Sequence, residues 1–293
     1  MSMTEQIKNL IKNFSSYRGK LYVPLGHYYS PIVSPEEAEK RMRQIWPEPV
    51  NAVPGVDLNE QEQLQLLESF RTFYSQLPFD ANPKEGLRYH YENSMYSYSD
   101  GIMLYSMMRH FKPQRIIEVG SGFSSAMMLD TNNLFFEDKI KCTFIEPYPE
   151  RLNSLLKPNE KISLIQQPVQ DVDLKLFDEL QTNDFLFIDS THVSKTGSDV
   201  NFIFFEILPR LKKGVKIHFH DIFFPFEYPR EWVIAEGRNW NEDYMLRAFL
   251  SFNSSFRIIM FNTYMEHFHT EWFKQNMPLC LKNRGGSIWI DKI

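Results

Sequence analysis

From about residue 99 onward, short unbroken apolar runs alternate with longer stretches in which apolar residues recur every three or four positions. The runs at 115–119, 141–146, 161–166, 184–189, 215–220 and 256–262 read as strands. The stretches at 101–111, 123–133, 149–156, 172–180, 198–212 and 243–252 read as helices, the first capped by Ser99 or Asp100. A final run, Gly285-Gly-Ser-Ile-Trp-Ile-Asp-Lys-Ile293, reads as a last strand. Strands without a polar face suit a parallel sheet covered by helices on both sides, and the repeated β–α units predict a doubly wound α/β fold.

Residues 1–95 follow a different pattern. Helical periodicity occurs near 4–14, 35–45 and 58–76, separated by connections rich in Pro and Tyr such as Gly26-His-Tyr-Tyr-Ser-Pro31 and Pro47-Glu-Pro-Val-Asn-Ala-Val-Pro54. The expected organisation is a helical N-terminal extension over 1–95 packed on an α/β domain over 96–293. Such an extension is a candidate homodimer surface.

Composition narrows the function classes. With 43% hydrophobic and 24% charged residues, the 293-residue chain can bury a sizeable core. A net charge of -5 leaves no basic footprint for nucleic acid. Cys142 and Cys280 cannot form a disulfide framework and are expected to pack. No N-terminal apolar run is long enough for a signal peptide or a membrane span, so a cytoplasmic protein acting on a small molecule is expected.

Ligands of open α/β sheets bind beyond the carboxyl ends of the strands, so candidate chemistry is sought there. After the first strand, Arg115-Ile-Ile-Glu-Val-Gly-Ser-Gly-Phe-Ser-Ser125 runs from strand through a glycine turn into a helix. Glu118, Gly120, Ser121 and Gly122 are therefore candidate cofactor contacts, because bare backbone and free helix N–H groups suit a nucleotide-like ligand. After the second, Glu146 can accept both hydroxyls of a ribose, or cap the helix that follows. After the third, Gln167-Pro-Val-Gln-Asp171 offers Gln170 and Asp171 to an adenine edge, although Asp171 also suits the N-cap of helix 172–180. The fourth and fifth strands deliver Asp189, His220 and Asp221 to one rim, where two carboxylates and an imidazole suit a divalent cation or acid–base work. His192 is a fourth ligand, a base or a solvated loop histidine, whereas His218 reads as a core residue. Asp199 suits the first turn of helix 198–212. The aromatic loop 223–232 suits a lid or substrate wall, with Arg230 a candidate anion contact, and the tyrosine-rich segment 89–100 either closes over the cofactor or joins the two parts.

These motifs resemble the class I S-adenosylmethionine-dependent methyltransferases. The stretch 117–125 resembles their first motif, Glu146 matches the acid that holds the ribose, and 256–262 with 286–292 match the reversed hairpin of their seven-stranded sheet. Ser125 stands where a dinucleotide fingerprint has its third glycine, which argues against a nicotinamide cofactor. More narrowly, 187–201 and 218–232 resemble a bacterial branch near the small-molecule O-methyltransferases and cephalosporin hydroxylase-like proteins. That resemblance implies a magnesium site at Asp189, His220 and Asp221, with His220 departing from the usual acidic or amide residue toward a ligand that suits zinc, iron or manganese.

The resemblance implies methyl transfer from S-adenosylmethionine to a small-molecule hydroxyl. Asp189, His192 and His220 are the expected catalytic residues, and a divalent metal is expected to assist on Asp189 and Asp221, with His192 or His220 as base in its absence. Two other readings suit the same residues: a metal-dependent hydroxylase or hydrolase, and a non-catalytic binding protein.

Overall fold

The computed structural model describes residues 21–293. These residues divide into two compact units: the described residues up to Pro47 together with Pro229–Asn239, and Glu48–Tyr228 together with Trp240–Ile293. The division therefore does not fall at residue 95. Residues 48–95 belong with the sheet because their polar groups are satisfied there. Gln63 Oε1 accepts the Phe261 amide at 2.7 Å, and Asn59 Nδ2 donates to Ile258 O at 3.1 Å. Asp130, buried in the helix after the first strand, accepts the Arg88 and Tyr89 amides at 2.7 and 2.9 Å. The helix Glu60–Tyr74 adds Leu67 and Phe70 to the core.

In the smaller unit, the helical pattern of 35–45 appears as Pro35–Lys40 and Met42–Ile45, the first capped by Ser34. Gly26–Pro31 is irregular, as its turn residues require. The pattern at 4–14 lies outside the described residues.

The larger unit holds a seven-stranded sheet ordered β3-β2-β1-β4-β5-β7-β6. Its strands are β1 Arg115–Val119, β2 Lys141–Ile145, β3 Ser163–Ile165, β4 Phe185–Ile188, β5 Lys216–His220, β6 Phe256–Phe261 and β7 Ser287–Lys292. All neighbours among β1 to β5 pair in parallel, while β7 runs against both β5 and β6. This is the doubly wound, mostly parallel sheet that the alternating pattern implies, ending in the reversed hairpin that the resemblance implies. The order reverses between β1 and β4, the place where ligands of open α/β sheets bind. Among the described residues no helix is long and apolar enough to cross a membrane.

Several helices depart from the sequence pattern. Only Lys175–Asp178 of 172–180 is α-helical, and Asp173 rather than Asp171 accepts the amide of its first turn, from Lys175 at 3.0 Å. Asp171 instead ends a 3-10 turn over Val169–Asp171. The pattern at 198–212 is α-helical over Asp199–Phe202, then π-helical over Ile203–Ile207 until Pro209 stops it. Helices at Asn262–Phe268 and Thr270–Asn276 fill the hairpin connection between β6 and β7.

Candidate active site

The glycine turn after β1 is closed by contacts on both sides. Gly120 has φ +82°, and a Cβ built on it would fall on the Asp189 carbonyl oxygen. The ends of β1 and β4 can approach this closely only because no side chain stands between them. Asp189 N donates to Val119 O at 2.8 Å, and Gly120 N to Ile145 O at 3.0 Å. The turn is thus stitched to the strands on either side. Gly122 N donates to Ser125 Oγ at 3.0 Å, so the serine in place of a third glycine caps the turn. Arg151 lies across Gly122, its Cδ 3.1 Å from a Cβ built there, a contact with no signal in the pattern of apolar positions.

Glu146 stands across from this turn. Its Oε2 accepts the Ser121 amide at 3.0 Å and its Oε1 the Tyr148 amide at 2.8 Å. Each oxygen keeps a lone pair for a further donor. The acid therefore lies against the glycine turn with acceptor capacity to spare. Glu118 occupies a different place. It is fully buried, and its carboxyl accepts the hydroxyls of Ser124 at 2.6 Å and of Ser125. Burial, aided by the nearby Asp189 charge, pushes its pKa up to about 8 despite those hydroxyls. Glu118 is a brace beneath the turn rather than a cofactor contact. Gln170 and Asp171 lie past β3; Gln170 Nε2 donates to Gly197 O at 3.0 Å, and Asp171 O accepts from Gln167 Nε2 at 2.9 Å.

A second cluster forms where β4 and β5 end. His192 Nδ1 lies 2.8 Å from Glu242 Oε2, while its Nε2 lies 3.4 Å from Asp189 Oδ1 and 3.6 Å from Asp221 Oδ2. The Asn241 and Glu242 amides both donate to His192 O, at 3.0 and 3.2 Å, so the helix Glu242–Leu250 holds the histidine by main chain and side chain together. His192 and Asp221 both have left-handed backbones, φ +60° and +55°. Non-glycine residues are held this way where surrounding contacts dictate the geometry, which is common at functional sites. Burial opposes charge on His192, but Asp189 and Glu242 more than offset it and raise its pKa well above the ordinary imidazole range. The same burial raises Glu242 and Asp221. Asp189 stays below the ordinary carboxylate range because His220 and His192 outweigh its desolvation.

His220 Nε2 lies 3.6 Å from Asp221 Oδ1, and its Nδ1 is buried with no hydrogen-bond partner among the described residues. His218 is a core residue, stacked at 3.9 Å on Phe187 and packed on Trp289, and burial keeps it neutral. Asp199 does more than start a helix. It accepts the Thr191 amide at 2.9 Å and hydroxyl at 2.6 Å, shaping the loop that carries His192.

The expected metal set is not assembled. Asp189, His220 and Asp221 share the rim, but among the described residues no group of three or more His, Cys, Asp or Glu side chains is placed to hold a metal ion. The physical reason is His192. Its Nε2 faces both carboxylates that would share a cation, and its Nδ1 is committed to Glu242, so the imidazole ring fills the space between them. Glu242 escaped the sequence reading because it lies 50 residues from its partner in a helix start where an acid is unremarkable.

Residues 117–222 match a family model described as a methyltransferase domain. An uncharacterised protein of Archaeoglobus fulgidus is 37% identical over 192 residues, 62% of this chain and 86% of that protein. Among solved structures, the chain is similar to the S-adenosylhomocysteine-bound Podospora anserina methyltransferase PaMTH1 (15% identity, TM-score 0.45, 93% of this chain and 99% of that one). It is also similar to the O-methyltransferase TomG of Streptomyces achromogenes (14% identity, TM-score 0.40, 81% and 91%). Sheet order, glycine turn and matched domain define a Rossmann-like methyltransferase. Residues 117–222 carry a methyltransferase domain, and the chain belongs to the same family as the archaeal protein.

Proposed function

We propose that the protein transfers a methyl group from S-adenosylmethionine to a hydroxyl of a small, non-anionic acceptor without the help of a metal. The observation that carries this reading is Glu146 held against the Ser121 amide at 3.0 Å, which sets an acid with spare acceptor capacity directly beside a bare glycine turn at the sheet's switch point. Gly120, Ser121, Gly122 and Glu146 hold the adenosyl part.

The cofactor supplies an already activated methyl carbon, so the chain's main task is alignment. Asp221 takes the acceptor's proton: burial raises its pKa, and a stronger base accepts a proton more readily. The His192 imidazolium, oriented by Glu242, stabilises the charge that develops on the acceptor oxygen. His220 orients Asp221 from the other side. With Asp189, Asp221 and Glu242 all meeting at His192, an anionic acceptor would be repelled.

Titration calorimetry with S-adenosylhomocysteine tests the cofactor half; absence of binding at sub-millimolar ligand overturns it. Turnover that survives exhaustive chelation is expected, and its loss with recovery on adding a divalent cation would restore the metal-assisted route.

A further inference from the structure

Arg151 stands beside the glycine turn and has no part in the proton transfer at the rim. It lies in the first turn of the helix Glu150–Leu155, just past Glu146. Its stem runs over Gly122, with Cδ 3.1 Å and both Cγ and Nη1 3.9 Å from a Cβ built there. A side chain at 122 would push this stem away, so the missing Cβ gives the arginine its path along the turn. The side chain is exposed, and among the described residues its guanidinium has neither a hydrogen bond nor an ion pair. Its charge nevertheless reaches the end of β4. Against the desolvation of Asp189, it joins His220 and His192 in keeping that carboxyl below the ordinary range.

The other charges around the turn are negative or already shared. Glu146 accepts the Ser121 amide, Asp189 follows β4, and the His192 ring is divided among Asp189, Asp221 and Glu242. S-adenosylmethionine ends in an amino acid. Its ammonium and sulfonium suit an acidic rim, whereas its carboxylate would be repelled there unless a cation accompanies it. An unpaired guanidinium is the group best matched to a carboxylate, because its planar N–H fork donates to both oxygens at once.

We propose that Arg151 pairs with the carboxylate of the cofactor's amino-acid end and so makes that carboxylate a requirement for tight binding. The assignment rests on the methyl-transfer reading and extends the site from the adenosyl group to the far end of the cofactor. A cofactor form that lacks the carboxylate gains nothing from the guanidinium, so the site selects for the intact amino acid.

Calorimetry of the full chain tests the assignment with two ligands: S-adenosylhomocysteine, and methylthioadenosine, which keeps the adenosyl group and thioether and lacks the amino acid. Arg151→Gln is expected to weaken S-adenosylhomocysteine by at least about fivefold and to leave methylthioadenosine within about twofold. Arg151→Lys should recover part of the loss, as it keeps the charge without the fork. The native preference for S-adenosylhomocysteine should narrow as salt rises, because the pair is open to solvent. The melting temperature should not change, since the substitution breaks no internal hydrogen bond. Equal weakening of both ligands, no weakening of either, or tighter binding by the variant would overturn the assignment. Native binding of S-adenosylhomocysteine that Arg151→Gln leaves intact removes Arg151 alone, whereas a native chain that binds neither ligand overturns the methyl-transfer reading with it.

Discussion

Glu242 Oε2 lies 2.8 Å from Nδ1 of His192, and both side chains are buried. The contact fixes which ring nitrogen faces Asp189 and Asp221, and it holds the positive charge on the imidazole. Replacing Glu242 with Gln keeps the shape and removes the charge. His192 should then titrate at a lower pH, and turnover should fall by about 10-fold or more, with S-adenosylhomocysteine binding unchanged. The sign of the stability effect follows from the raised histidine pKa. The stabilisation from protonated His192 is complete below the unfolded-state value near 6.5 and is lost as pH rises through the folded-state value. The native protein should thus lead the variant most at mildly acidic pH and least in alkali. Urea unfolding across pH, with imidazole titration by NMR, checks both parts.

The acid after β2 gives a second expectation. Glu146 accepts two backbone amides at its rim position, and neither donor is deeply sealed, so its loss should cost the fold little. A hydrogen bond from a ribose hydroxyl to a carboxylate is worth about 1.5–3 kcal/mol. Glu146→Ala should therefore weaken S-adenosylhomocysteine by roughly 10- to 100-fold at nearly constant melting temperature, as calorimetry and thermal unfolding would show. An unaltered affinity would remove Glu146 from the site.

The sheet and half of the site were legible in the sequence, for a common reason. Strands buried on both faces write themselves as unbroken apolar runs, and a glycine turn between strand and helix is a local feature. Asp189, His192, His220 and Asp221 could be placed together because strand ends of a doubly wound sheet share one rim. What stayed hidden was non-local. Glu242 reaches His192 from a helix beyond the aromatic loop, and Arg151 crosses Gly122 from the helix after β2. Glu118 looked like a cofactor contact because the motif places it beside the turn, but strand alternation turns its side chain beneath the sheet's edge, where Ser124 and Ser125 meet it. The break at Pro47 was obscured because the helix at 60–74 has the same polar–apolar rhythm as a free-standing extension; only its contacts with β6 reveal where it belongs.

Gly120 supplies a sharper test of the turn. Alanine there would carry a left-handed backbone and place its methyl group on the Asp189 carbonyl oxygen. Strain of this kind costs about 1–3 kcal/mol, and the clash adds to it because both strand ends are hydrogen-bonded in place. Gly120→Ala should be destabilised by more than about 2 kcal/mol in urea unfolding, and should lose cofactor binding at temperatures where it is still folded.

Glu118 links the turn to pH. Its carboxyl is pushed up to about 8 by burial, against about 4.3 in the unfolded chain, so at pH 6 to 7 the folded protein keeps a proton that the unfolded chain has released. Between these two values the folded state binds more protons than the unfolded one, and stability must fall as pH rises. The loss amounts to a few kcal/mol by pH 8, since each unit of difference is worth about 1.4 kcal/mol. Glu118→Gln has no proton to lose. Its unfolding free energy should stay flatter from pH 5 to pH 8 than that of the native protein, with the gap closing toward acid, where Glu118 is neutral in both states. A native curve as flat as the variant's would show that the carboxyl beneath the glycine turn is ionised, and that Ser124 and Ser125 alone suffice to hold it so.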